Sequence, residues 1–214
     1  MQITKPKIKE TTIKDINKSI EQNDFNNGLY FNQTINNDIK DIEFNSCHFK
    51  NIDFTNIKLD NIEIYDCIFE NCNLANQQFN YKLIHRTIFN NCNLLGISFI
   101  DSSLKDISFI ECNLKYSNFS GSKLTSIEYN NCNITESSFI ETSIKKIDFN
   151  KCDLSKTEIY NTSLNNIDLS TCSIKSILID NESIKGLVID QSQSIDLVGM
   201  LGANIKWLFT TSLQ

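Results

Sequence analysis

Every fifth residue from Phe44 to Ile189 is Phe, Leu, Ile or, once, Tyr129. A period of five belongs neither to a helix, with 3.6 residues per turn, nor to a flat strand, with two. The residue two places before each of these is also selected: Ile42, Cys47, Ile52, Ile57, Ile62, Cys67 and Cys72, and later Ser102, Ser117, Ser122, Ser137 and Thr142. Two inward residues flanking one outward residue make a short piece of strand. The other two residues of each five then turn a corner.

A chain that turns every five residues closes a square in four repeats, so one coil takes twenty residues. The cysteines keep the same interval: Cys72, Cys92, Cys112, Cys132, Cys152 and Cys172 are spaced by twenty, as are Cys47 and Cys67. Phe49, Phe69, Phe89, Phe109 and Phe149 share one column, Phe79, Phe99, Phe119 and Phe139 another, and the columns between them are largely aliphatic. The expected fold is all-β, a four-sided solenoid with phenyl stacks on two opposite walls. Internal repetition of this kind fixes the architecture before any local propensity is weighed. The register runs unbroken from 44 to 189, and glycine (6) and proline (1) are too few to make the corners.

This pattern resembles the pentapeptide-repeat proteins, with Cys-Asn-Leu at 72–74, 92–94 and 112–114 and Cys-Asp-Leu at 152–154 matching the start of their motif. The resemblance implies a right-handed quadrilateral β-helix. Residues 1–22 are expected to form an irregular cap, 23–189 the β-helix, and 190–214 a C-terminal helix and dimerisation segment. A five-residue step through Ile20, Phe25, Tyr30 and Ile35 stands one place out of register with Ile39, so one residue is missing there. Beyond Ile189, the spacing of Ile195, Val198, Leu201 and Ile205 suits a short amphipathic helix ending near Gly202. Leu197, Val198, Met200, Leu201, Ile205, Trp207, Leu208 and Phe209 supply apolar surface suited to a homodimer interface.

Asp190, Gln193, Leu197, Leu201 and Gly202 resemble the closing segment of the Qnr-type topoisomerase-protecting subgroup. That likeness implies a DNA mimic that dimerises tail to tail, binds DNA gyrase or topoisomerase IV and protects it from inhibitors such as quinolones. The unbroken register places the chain nearer to relatives without inserted loops. A non-enzymatic interaction scaffold or effector with an unrelated partner is the rival reading, because a fold by itself does not specify a function.

The net charge of -6 argues against direct nucleic-acid binding and against an anionic membrane surface. No apolar run suits a membrane span or a secretory signal, so a cytoplasmic protein is expected. The inward thiols read as reduced packing groups, and His48 beside Cys47 faces the other way, so neither metal nor cofactor is expected. No nucleophile–base–orienter set or phosphate loop is legible, so an enzyme is not expected.

Charge sorts by wall. On the wall of residues 58–61, 78–81, 98–101 and onward, Asp60, Asp101, Glu141, Glu158 and Asp180 face Lys58, and these acids are the candidate partner surface. The wall of residues 43–46, 63–66 and onward carries Arg86, Lys105, Lys123, Lys145, Lys146 and Lys185 against four acids. One anomaly interrupts the pattern: Gln77 and Lys82 hold inward positions, with Tyr81, His85 and Arg86 near them in sequence. These five form a second candidate contact patch on a bulged wall.

Overall fold

The computed structural model describes residues 3–8 and 12–198. Its core is a parallel β-solenoid in which residues twenty apart lie side by side, for example Leu104 beside Leu124 and Phe109 beside Tyr129. Four walls follow one another around each coil; the first is centred on Phe44, Ile64 and Ile84, the second on Phe49, Phe69 and Phe89. The strands Leu83–Asn90, Ser103–Ile110, Lys123–Asn130 and Ser143–Asn150 each run unbroken over the first and second walls. The third and fourth walls are joined mostly by single bridges, such as Asn73 with Asn93 and Ser98 with Asn118.

Corners are made by left-handed residues. Asn51, Asn71, Asn91 and Asn131 have φ between 51° and 54°, and the same conformation recurs at five-residue intervals with Asp, Ser, Glu, Lys and Tyr. Asparagine and aspartate tolerate this region best among residues with a side chain, which explains a square coil with so little glycine. Where glycine does occupy a corner, as Gly121 does at φ 70°, it takes the left-handed backbone without the strain a side chain would add, and its missing Cβ leaves room for Asp101 Oδ1.

The interior is held in two ways. Rings stack along the second wall from Phe49 to Phe149, with Phe89–Phe109 centroids 5.2 Å apart and Phe109–Tyr129 4.9 Å apart. The fourth-wall stack meets this column edge-on across the interior, as Phe109 and Phe119 do at 80°. Where the small inward residue is Cys, Ser or Thr, it often donates to a backbone carbonyl one coil below. Cys112 Sγ reaches Phe89 O at 3.3 Å, Ser122 Oγ reaches Phe99 O at 2.5 Å and Thr162 Oγ1 reaches Phe139 O at 2.7 Å. The position thus takes either a compact donor, which Cys, Ser and Thr all provide, or an isoleucine that only packs, as at Ile97 and Ile107. Burial pushes the Cys67 and Cys112 thiols well up, so they stay protonated donors.

Both ends depart from the square. The first coil is one residue short, since Tyr30 pairs with Phe49 while Ile39 pairs with Leu59. Beneath it the helix Ile16–Gln22, capped by Asp15, buries Ile16, and Ser19 bonds the Tyr30 hydroxyl at 3.0 Å. At the other end the expected unbroken register is corrected: residues 181–186 form turns, and Ser183 rather than Glu182 points inward to accept the Thr162 amide at 2.9 Å. Asp180, whose carboxylate accepts the Glu182 and Ser183 amides, draws the chain around this tighter corner.

Phe109→Ala is expected to lower stability by about 3–5 kcal/mol in urea unfolding, because the fully buried ring has stacking partners above and below. Tyr129→Phe is expected to raise the melting temperature, since the Tyr129 hydroxyl is buried without a partner and Phe fills the same space.

Candidate interaction surface

With the interior consumed by packing, the chemistry available to a partner lies in the outward residues of the four walls. On the fourth wall Asp60, Asp101, Glu141 and Glu158 are exposed. Asp101 and Glu141 project from left-handed corners, and Asp60 and Glu158 stand on short strands. Asp180 is half-buried and works locally: amides and the hydroxyl at Ser183, with the Asn161 amide, hold its pKa down at about 2. It contributes charge to the wall, but its oxygens are already engaged.

Wall by wall, the acids extend further than the fourth face. The second wall bears Glu70, Glu111, Glu128, Asp148, Asp168 and Asp190 against Lys50 and Lys151. Glu128 and Asp148 are paired directly across neighbouring strands, and Asp168 follows one coil later. Like charges in such register repel. Sequence reasoning missed this row, although the same sorting by twenty-residue columns reveals it.

The five residues of the sequence anomaly do not form one patch. Gln77 is buried at the corner between the third and fourth walls, Tyr81 is exposed at the next corner, and Arg86 lies at the edge between the first and second walls. Gln77 itself stays inside the wall. Its amide donates to Phe54 O at 2.7 Å and Ile57 O at 2.8 Å, and its Oε1 accepts the Leu59 amide at 3.1 Å. Ordinary corners donate to the coil above, as Asn76 N does to Leu95 O at 2.8 Å, but Asn56 stays out of the left-handed region and makes no such bond. Gln77 replaces the missing corner contacts with side-chain ones. The altered corner leaves a groove of about 590 Å³ beside Lys58, Asp60, Asn76 and Gln78. Lys82 turns outward instead, its ammonium donating to Asn61 Oδ1 at 2.6 Å.

The same glutamine device closes the far end. Gln193 Nε2 donates to Leu169 O and Cys172 O at 2.9 and 2.6 Å, while its Oε1 accepts the Asp190 amide at 2.6 Å. Asp190 caps the short helical turn Gln191–Gln193, which leads into the helix Ser194–Val198. The Asp-x-x-Gln pair is thus a plug for the last coil. Leu197 and Val198 are half-buried, with Leu197 packed on the core. Met200, Leu201, Ile205, Trp207, Leu208 and Phe209 lie outside the described residues.

Along the edge between the first and second walls, Arg86 pairs with Asp66 through Nε and Nη2 at 2.6 and 2.5 Å. Its Nη1 donates to His85 Nδ1 at 3.0 Å, and His85 Nε2 donates to Asp106 Oδ2 at 3.3 Å. Burial first, then the Arg86 charge, lowers the His85 pKa, so the ring is neutral in this tautomer. Among the described residues, no group of three or more His, Cys, Asp and Glu side chains is arranged to hold a metal ion, and no helix is long and apolar enough to cross a membrane.

Two family profiles match the chain: "Pentapeptide repeat region" over residues 62–139 and "Pentapeptide repeats (8 copies)" over 132–170, together half of its length. The chain belongs to the pentapeptide-repeat proteins. Solved structures similar to this pentapeptide-repeat protein include QnrB1, a plasmid-mediated fluoroquinolone resistance protein, in a trypsin-treated form. It shares 17% identity at a TM-score of 0.42, covering 85% of this chain and 89% of that one. HetL, involved in heterocyst differentiation regulation in the cyanobacterium Nostoc, shares 10% identity at 0.43, covering 79% and 92%. A pentapeptide-repeat protein of the Arabidopsis thaliana thylakoid lumen shares 11% at 0.37, covering 59% and 84%. No curated protein matches the sequence.

Gln77→Leu is expected to cost about 2–4 kcal/mol in urea unfolding with an unchanged slope, because two buried carbonyls and one amide lose their partner together.

Proposed function

We propose that this protein binds a type II topoisomerase, DNA gyrase or topoisomerase IV, in place of DNA and protects it from an inhibitor such as a quinolone. The observation that supports this reading is the placement of acids on opposite walls of a narrow rod. Asp60, Asp101, Glu141 and Glu158 line the fourth wall, and Glu111, Glu128, Asp148 and Asp168 line the second. A duplex is likewise a narrow rod bearing dense negative charge along its length, and an enzyme that grips it presents a basic saddle. Seven or eight coils at about 4.8 Å make a rod of roughly 35 Å, and two joined end to end make roughly 70 Å, near the length of twenty base pairs.

Carboxylates in register repel one another, so the row Glu128, Asp148 and Asp168 on the second wall fits a partner that neutralises it. The Asp190–Gln193 plug supports the likeness to the Qnr-type ending, and the dimer belongs to the same reading. Leu197, Val198, Met200, Leu201, Ile205, Trp207, Leu208 and Phe209 would form the clamp, as a homodimer working in the cytoplasm. The activity asked of the chain is recognition without chemistry.

Gyrase supercoiling at an inhibitory quinolone concentration is expected to recover when the purified protein is added. A version with Asp101, Glu141, Glu128 and Asp148 replaced by Asn or Gln is expected to recover it several-fold less. Absence of any rescue or inhibition would leave the scaffold reading in its place. Trp207→Ala combined with Leu208→Ala is expected to sediment as a monomer, and a surviving dimer would refute the tail clamp.

A further inference from the structure

The first, second and third walls join the coil of residues 42–61 to the coil of residues 62–81, pairing Glu43 with Glu63, His48 with Ile68 and Asp53 with Asn73. The fourth wall does not. Before the break Leu59 pairs with Ile39, and beyond it Gln78 pairs with Ser98 and Ser98 with Asn118. In the intact part of that wall Ser98 N donates to Gln77 O, Phe79 N to Ser98 O and Tyr81 N to Ile100 O. Their counterparts one coil lower, from Gln78 N to Ile57 O, from Leu59 N to Gln78 O and from Asn61 N to Asn80 O, are not made. Gln77 compensates on the lower side only, where its side chain meets Ile57 O and Leu59 N. It closes the lower coil as Gln193 closes the last one, as though the rod ended there on this wall. The upper coil keeps an open strand edge over residues 78–80. Gln78 N, Gln78 O and Asn80 O have no partner among the described residues, beside the groove of about 590 Å³.

We infer that this open edge docks one extended segment of a partner protein, running parallel to the coil and patterned acid–apolar–base. An exposed strand edge beside a cleft is a template for an added strand. A parallel segment placed there restores the missing bonds. One of its carbonyls accepts from Gln78 N, the amide two residues on donates to Gln78 O, and the amide two further on donates to Asn80 O. A segment of about five residues is enough, and the groove has the volume of sites that hold a small ligand. Charge sets the pattern. Lys58 and Asp60 are exposed on the lower rim of the groove, and neither forms an ion pair among the described residues. An acid opposite Lys58 and a base opposite Asp60 both point outward, and the residue between them points in toward the buried Leu59 and Phe79. The site shares Asp60 with the acidic fourth wall, but it reads backbone groups and a three-residue pattern rather than a row of charge. It therefore stands whether or not the walls bind a topoisomerase.

The test adds a capped synthetic pentapeptide, glycine–glutamate–valine–lysine–glycine, to the full-length protein at up to millimolar concentration and follows the backbone amide resonances. Shifts are expected at Asn56, Asn61, Ala75, Gln78 and Asn80 and not on the second wall. At saturation the Gln78 amide is expected to exchange roughly ten-fold more slowly, the scale of one net hydrogen bond. N-methylation of the peptide's valine removes the donor to Gln78 O and is expected to weaken binding about ten-fold. Exchanging the peptide's glutamate and lysine is expected to weaken it several-fold. The double variant Lys58→Glu with Asp60→Lys is expected to reverse that preference, and both side chains are exposed, so the solenoid is left intact. Absence of shifts at Gln78 and Asn80 would overturn the site. Binding that N-methylation leaves unchanged would reduce the contact to surface charge and overturn pairing at the edge. Binding indifferent to the charge exchange would overturn the acid–apolar–base pattern.

Discussion

The left-handed corner every fifth residue is the constraint on which the rest of this molecule depends. It sets the coil at twenty residues, and the coil length places Phe above Phe and Cys above Cys. Stacking of identical side chains is then a consequence of geometry, and it is favourable for flat rings that meet at 4.9–5.2 Å along the second wall. Each corner also spends conformational energy, since a residue with a side chain resists φ near 55°. Asparagine lessens that strain and adds its own inter-coil bonds, as Asn71 does to Asn51 and Asn91 does to Asn71. Between residues 41 and 181 three corners, at Asn56, Thr171 and Asn181, stay outside the left-handed region; at the first two a buried glutamine amide bonds the carbonyls flanking the turn, and at the third the Asp180 carboxylate takes the Glu182 and Ser183 amides.

Those two glutamines mark the boundary of what the sequence discloses. Parity and column were legible, because inward and outward residues alternate and the cysteines repeat at twenty; the phenyl walls and the short first coil follow from that alone. By size and polarity alone Gln77 violates the pattern of inward positions. Its place becomes intelligible only when the unmet backbone groups of Phe54, Ile57 and Leu59 are counted together, and those belong to the coil below. The same limit hid the slip at Ser183, where the column still shows Ile184 although the chain has stepped by one residue.

Contacts along the rod axis were harder still to read. Asp66, Arg86 and Asp106 share one corner column, so their alternation of charge is visible in sequence. Nothing in the periodicity of residues 44–189 indicates that residues 3–8 lie upon them, with the Lys7 amide on Asp66 and the Thr4 amide on Asp106. An irregular segment has no column of its own, and its position is set by amides that any residue but proline supplies. Spreading the 76–89 anomaly over three corners follows from the same geometry: neighbours in sequence on a square coil soon face different directions, while residues twenty apart share a wall.

A solenoid divides its residues more sharply than a globular domain does. Inward positions answer to packing and to carbonyl satisfaction, which is why Cys, Ser and Thr exchange freely there. Outward positions on the flat walls answer to little inside the molecule, so a row such as Glu128, Asp148 and Asp168 is not required by the fold and is opposed by mutual repulsion. Lysine at those positions would suit the same strands. The first wall shows that the scaffold accepts it, with Lys105, Lys123 and Lys145 in succession. The fold itself therefore requires neither acids on the second and fourth walls nor bases on the first.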